Sequence, residues 1–191
     1  MDDLTRAAVA AAAGDRLALA TFVRQGQVPV WRLAAHLVDR DSADDLTQET
    51  MLRAVPALVG FRAESSATTW LLGIARRVCA DEIRRRARRR RLWDRLVEQR
   101  PTMHTDAEDG AVDLDTLLAG LAPDRRAAFV LTQLLGLGYA DAAEVCGCPV
   151  GTIRSRVARA RADLIDVLRP AVAQPVEPPQ EDPPDERRSA R

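Results

Sequence analysis

Between Val150 and Leu164 the sequence VGTIRSRVARARADL sets Arg154, Arg156, Arg159 and Arg161 over an apolar beat of Ile153, Val157, Ala160 and Leu164. On a helix that beat is one face, so Thr152, Arg154, Ser155, Arg156 and Arg159 lie off it. Guanidinium groups presented this way can grip guanine through paired hydrogen bonds or neutralise phosphates. Just upstream, GYADAAEVCGCPVG supplies a short helix and a tight turn at Gly147. Small Ala143 four positions before that glycine, and Ile153 six after it, give the spacing of a helix-turn-helix whose second helix enters a DNA major groove. The competing reading is an amphipathic helix whose arginines face only water, with Asp163 and Asp166 near its end.

A second cationic stretch runs from Thr68 to Arg91, TTWLLGIARRVCADEIRRRARRRR. Leu72, Ala75, Cys79, Ile83 and Ala87 form one helical stripe, and Arg76, Arg77, Asp81, Arg84, Arg85 and Arg88 lie off it. Such a helix can lie along nucleic acid, each neutralised phosphate adding salt-sensitive affinity. The preceding FRAESSATTW places Phe61 and Trp70 around a polar loop with Arg62, Ser65 and Ser66. Aromatics beside small donors suit an unstacked base, although both rings also suit a hydrophobic core.

The third candidate is acidic. DSADDLTQETMLRAV opens with Ser42 as an expected N-cap and Asp45 at the capping-box position, while Asp44 and Asp45 complement the helix dipole. Asp45, Gln48, Glu49 and Leu52 share one face; Ala43, Thr47, Met51, Ala54 and Leu58 share another. Acid, amide and an exposed leucine together resemble a protein-docking surface. Asp45 and Glu49 stand one turn apart, but two carboxylates from one helix rarely close an octahedral Mg²⁺ site. His36 falls on a helix and His104 in a linker, neither with a base or nucleophile partner. No catalytic residue, metal site or cofactor is expected.

The elements that must carry these groups are helices. Every long segment before residue 170 has a 3.6-residue beat, none has sustained alternation, and the expected class is all-α. Helices are predicted near 4–25, 29–38, 43–59, 66–91, 112–119, 124–135, 139–146 and 150–168. RPTMHTDAEDG (100–110) is polar, acidic and aperiodic, and divides two small helical domains, 1–95 and 112–170, as a flexible linker over 96–111. From residue 171 onward, five prolines and five acids with little to bury predict a disordered tail, 171–191. All 28 basic residues are arginine, balanced by 28 acids. The balance hides segregation: Arg76 to Arg100 holds eleven arginines against four acids, and such asymmetry points to a polyanionic partner. Cys79, Cys146 and Cys148 match no zinc spacing, and reduced thiols in a cytoplasmic protein are the plain reading. The alanine-rich start is too short for a signal peptide or membrane span, so no membrane association is expected.

Taken in order, DDLTQETMLRA, TTWLLGIARRVCADEIRRRARR and YADAAEVCGCPVGTIRSRVARARADL resemble the extracytoplasmic-function (ECF) group of bacterial sigma factors of the sigma-70 family. The final block, with its double-cysteine CGCPVG, is most similar to the mycobacterial sigma-C branch. The resemblance implies a sigma-2-like and a sigma-4-like helix-turn-helix domain, with core RNA polymerase and promoter DNA as partners. On that pattern Asp44, Asp45, Gln48, Glu49, Leu52 and Arg53 face the beta-prime clamp helices. Phe61, Arg62, Ser65, Ser66, Arg76, Arg77, Asp81, Arg84, Arg85 and Arg88 read and melt the minus-10 element, and Thr152, Arg154, Ser155, Arg156 and Arg159 read the minus-35 duplex. Asp124, Arg125 and Arg126 lie where the family touches the beta flap or promoter backbone. Many members are held by an anti-sigma factor. Arg77 stands where the family usually has asparagine, and LAP replaces its common LP. A stand-alone helix-turn-helix regulator would also explain 112–169, but leaves the acidic and long arginine helices without a purpose. Charge pairing between the acidic helix and the recognition helix further suggests that the two domains fold back on each other.

Overall fold

The computed structural model describes residues 1–96 and 114–172. The expected linker (96–111) and tail (171–191) therefore fall outside the described residues except at their first positions: Leu96 ends one helix, and Ala171 and Val172 end another. Among those described, every regular element is helical: α1 (Asp3–Ala12), α2 (Arg16–Leu37), α3 (Ala43–Ala57), α4 (Ala67–Leu96), α5 (Leu114–Ala119), α6 (Pro123–Phe129), α7 (Tyr139–Cys146) and α8 (Val150–Val172). A 3₁₀ turn follows α3 at Leu58–Gly60, and a π turn follows α6 at Val130–Leu134.

The first helix differs from the expected 4–25. It stops at Ala12, and a new helix starts because Asp15 accepts bonds from the Leu17 and Ala18 amides while Gly14 takes φ +98°. That helix then runs through Pro29 to Leu37, so the break expected before residue 29 does not occur. Packing overrides the missing proline donor: Phe22, Val30 and Leu33 are wholly buried on this helix. Gly26 permits the close approach of α2 to α4, since a Cβ there would lie 2.7 Å from Leu71 Cδ2. α4 and α8 each run past their expected ends, to Leu96 and Val172.

α1 to α4 form the N-terminal bundle around Phe22, Leu33, Leu71 and Leu72. α5 to α8 gather around Leu118, Leu131, Ile153 and Val157. The two bundles touch, but not through the acidic helix and the recognition helix, the pairing that charge suggested. The contact is instead α4 against α7, with α2 against α6 and the π turn. Its polar bonds explain the choice. Arg76 donates to the carbonyls of Val145 and Cys146, both at 3.0 Å, satisfying acceptors that the end of α7 leaves open. Arg126 donates to Leu118 O and Leu37 O, and Asp115 bridges His36 Nδ1 (2.8 Å) and Arg40 Nε (3.0 Å).

Candidate nucleic-acid and protein interfaces

The helix-turn-helix forms as its spacing requires. Gly147 adopts φ +63°, ψ +42°, and the Cys148 amide reaches back to Ala143 O at 3.0 Å, closing α7 with a left-handed cap. Ala143 and Ile153 are buried at the crossing. On α8, Ile153, Val157 and Ala160 turn inward, leaving Arg154, Ser155 and Arg159 exposed and Thr152 half-buried. Arg154 and Arg159 have no hydrogen-bond or ion-pair partner among the described residues. Arg156 differs from the other candidates: it bends toward α6, pairs with Asp124 and lies 3.6 Å from Cys148 Sγ. Ser155 Oγ donates to Thr152 O.

α4 carries a more heavily committed set of cations. Arg85 and Arg86 both bind Glu82, which is buried despite its charge, and Arg86 also reaches Asp39 and Ser42 Oγ. The Arg86 and Arg85 guanidinium groups hold the Glu82 carboxyl below its ordinary range. Ser42 consequently makes no side-chain cap on α3, contrary to expectation, because its hydroxyl is taken by Arg86. Arg84 binds Asp81 at 2.5 Å, and Arg53 joins Asp81 at 3.5 Å and Glu49 at 2.9 Å. Arg77 donates to Gly73 O, and Arg88 is exposed. The expected apolar stripe is buried at Leu72, Ala75 and Cys79 but emerges at Ile83 and Ala87, beyond the point where the C-terminal bundle covers it. Burial pushes the Cys79 thiol up to about 12 and that of Cys146 to about 11, so both stay protonated and unreactive.

Phe61 of the loop before α4 and Trp70 in the first turn of α4 are half-buried and lie against each other, ring centroids 5.2 Å apart. Trp70 also meets Phe22 of the core at 6.5 Å, so the aromatics anchor the loop as well as line it. Ser66 Oγ accepts from the Thr69 amide at 3.0 Å and caps α4. Arg62 is exposed, Ser65 half-buried, and Ala63 sits at φ +55°, a strained value for a residue with a Cβ.

α3 separates its faces as its pattern requires. Ala43, Thr47, Met51, Ala54 and Leu58 are buried, while Asp44, Asp45, Gln48, Glu49, Leu52 and Arg53 are exposed. Sequence reasoning missed the other wall of this surface. Val28 and Trp31 of α2 combine with Gln48, Met51 and Leu52 to line an apolar groove of about 780 Å³, and Trp31 Nε1 donates to Asp44 at 2.9 Å. The missed signal was the helix through Pro29, which brings Val28 and Trp31 to one side. Of the residues expected at the flap, Asp124 pairs with Arg156, Arg125 with Asp163 at 2.6 Å, and Arg126 spans the two bundles.

Residues 22–89 match the family described as sigma-70 region 2, and residues 111–164 match sigma-70, region 4. A probable RNA polymerase sigma-C factor of Mycobacterium bovis is 51% identical over 172 residues, covering 87% of this chain and 92% of the relative. An ECF RNA polymerase sigma-E factor of Haemophilus influenzae is 32% identical, covering 82% and 90%. Among solved structures, the sigma factor RpoE of Bartonella quintana, in complex with the anti-sigma factor NepR, aligns with TM-score 0.65 at 32% identity, covering 78% of this chain and 96% of that one. CnrH, solved with the cytosolic domain of CnrY, aligns with TM-score 0.69 at 26% identity, covering 88% and 99%.

Proposed function

The chain belongs to the extracytoplasmic-function group of sigma-70-family RNA polymerase sigma factors, and from that premise we propose how its surfaces divide the work of starting transcription. As an alternative sigma factor it is a transcription initiation factor and not an enzyme. Its partners are core RNA polymerase and promoter DNA. The domain assignment is sigma-2-like for 1–95, linker for 96–111 and sigma-4-like for 112–170.

The exposed face of α3, with Asp44, Asp45, Gln48, Glu49, Leu52 and Arg53, docks on the beta-prime clamp helices. The apolar groove beside it, walled by Trp31 and Met51, supplies the buried area that an acidic face lacks by itself. Arg154 and Arg159, with Thr152 and Ser155, read the minus-35 duplex. Phe61, Arg62, Ser65 and Ser66 of the loop, with Arg76, Arg77, Asp81, Arg84, Arg85 and Arg88 of α4, read and melt the minus-10 element. Capture of unstacked bases offsets the few kcal/mol that each disrupted step costs, which is how strands open without nucleotide hydrolysis.

In the arrangement described above, Arg76 is bonded to α7, so it cannot contact DNA until the bundles part. Binding to polymerase, which engages both bundles at separate places, supplies the energy for that parting. The RpoE neighbour is solved with an anti-sigma factor, and the α2–α3 groove is the surface we assign to such a partner here. No helix among the described residues is long and apolar enough to cross a membrane, consistent with work in the cytoplasm.

One observation carries the docking assignment: α3 leaves acid, amide and leucine exposed on one continuous face. Co-elution with bacterial core RNA polymerase at moderate salt tests it. The native chain should co-elute, and a folded Asp45→Arg, Glu49→Arg variant should be weakened; native protein that ignores core polymerase, or a variant that binds equally well, would sink it.

A further inference from the structure

Between the bundles lies a second cavity of about 690 Å³, with a floor of Leu37, Val38, Ile83, Ala87 and Leu121. Its wall is cationic: Arg76, Arg84, Arg86, Arg90, Arg91 and Arg126 all line it. Arg84 and Arg86 are matched by carboxylates. Arg76 and Arg126 bond only to backbone carbonyls, and Arg90 and Arg91 have no partner among the described residues. Asp124, the one lining acid, is already paired with Arg156. Here, too, the apolar stripe of α4 surfaces, with Ile83 left exposed. The cleft therefore combines uncompensated positive charge with uncovered hydrocarbon.

We propose that the C-terminal segment 173–191 docks in this cleft, its acids on Arg76, Arg90, Arg91 and Arg126 and its prolines on the apolar floor. Two observations select this occupant. The first is composition: QPVEPPQEDPPDE interleaves Pro175, Pro178, Pro179, Pro183 and Pro184 with Glu177, Glu181, Asp182, Asp185 and Glu186. Rigid prolines lower the entropy cost of holding the carboxylates in place.

The second is reach. Arg125, flanked in sequence by the lining residues Asp124 and Arg126, is bonded to Asp163 of α8. From Asp163 to Val172 the helix rises about 14 Å, so with side-chain lengths added the segment begins no more than about 25 Å from the rim. At about 3.1 Å per residue for proline-rich chain, Asp182 reaches about 31 Å from Val172. A tethered segment also acts at millimolar effective concentration, so weak pairing suffices.

The test uses the full chain and a full-length variant with Glu177→Gln, Glu181→Gln, Asp182→Asn, Asp185→Asn and Glu186→Gln. Arginine modification by phenylglyoxal is followed by mass spectrometry at Arg90 and Arg91, with Arg154 as an internal control. At low salt the variant should be modified several-fold faster at Arg90 and Arg91 and equally at Arg154. The difference should vanish near 1 M salt, where the Debye length is about 3 Å. A labelled peptide of residues 175–186 should bind the variant at least about tenfold more tightly than the native chain, and lose that affinity when Arg90→Glu and Arg91→Glu are added. Equal rates in the two chains at low salt, or peptide affinity indifferent to the tail's acids, would overturn the proposal. These readouts involve neither polymerase nor promoter, so they succeed or fail independently of the proposed promoter contacts.

Discussion

α4 and α8 are both arginine-rich helices with one buried face, yet they use their charge differently. On α4, Glu82 and Asp81 stand three or four residues from Arg84, Arg85 and Arg86, and Asp39 and Ser42 approach from the preceding loop. The middle of that cationic run, Arg84 to Arg86, is spent inside the fold. On α8, Asp163 lies four residues from Arg159 but is taken by Arg125 across the bundle, and Asp124 is taken by Arg156. Arg154 and Arg159 remain available. An arginine's function is thus set less by its number in a run than by whether a carboxylate within its reach is left unclaimed by another partner.

The most damaging way to break this contrast is to remove the acid that organises α4. Glu82→Ala leaves the Arg86 cluster with Asp39 alone; Arg86 is itself 39% exposed, so solvent screens part of the loss and the cost should be about 2 kcal/mol. Urea unfolding should show that loss, while Glu82→Gln should recover part of it. The same group predicts a pH dependence. Because the folded Glu82 and Asp39 carboxyls are held below their ordinary values, their stabilisation is complete above the usual carboxylate range. It is lost as pH falls through the lowered folded values. Thermal melts should therefore fall more steeply between about pH 5 and pH 3 for the native chain than for Glu82→Gln; parallel curves would remove Glu82 from the account.

Next in size is the α8 counterpart. Arg154→Ala should leave the melting temperature unchanged, since the side chain has no partner among the described residues. It should cost about 1 to 3 kcal/mol on the preferred duplex if it grips a base. A loss of equal size on every sequence would instead make it a phosphate contact. Arg156→Ala is expected to be mixed: it loses a half-exposed pair with Asp124, about 0.5 kcal/mol of stability, and weakens duplex binding less than Arg154→Ala. If Arg156 proved the stronger reader, its bond to Asp124 would have to open on binding.

The sequence made the helical class, the helix-turn-helix and both faces of α3 legible, because each rests on local periodicity or on one glycine. Ile153, Val157 and Ala160 had to turn inward wherever the helix packed, and Leu52 had to turn outward. What stayed hidden depends on distant partners. Nothing local says that Ser42 will give its hydroxyl to Arg86, or that Arg76 will close the end of α7 some seventy residues later. The helix through Pro29 was equally illegible: its lost donor is a local cost, whereas the burial of Val30 and Leu33 that offsets it is not. Charge complementarity between the acidic and recognition helices also suggested the wrong contact. Long-range charge pairing is screened and undirected, whereas the guanidinium bonds of Arg76 and Arg126 to carbonyls are short and geometrically specific.

The smallest expected effect separates pairing that organises a fold from pairing that only decorates it. Arg125 and Asp163 meet at 2.6 Å across α6 and α8, with side chains a little over one-third exposed. In that setting solvent screens the attraction and two long side chains lose freedom, so the pair is worth no more than about 0.2 to 1 kcal/mol. A double-mutant cycle of Arg125→Ala and Asp163→Ala, read by urea unfolding, should return a coupling in that range that fades in high salt. The Glu82–Arg86 cycle should return a larger and more salt-resistant one, because Glu82 is buried and its partner is fixed by Asp39 and Ser42. Equal couplings would mean that burial of the acid, and not only its nearness in sequence, had been given too much weight in distinguishing the two helices.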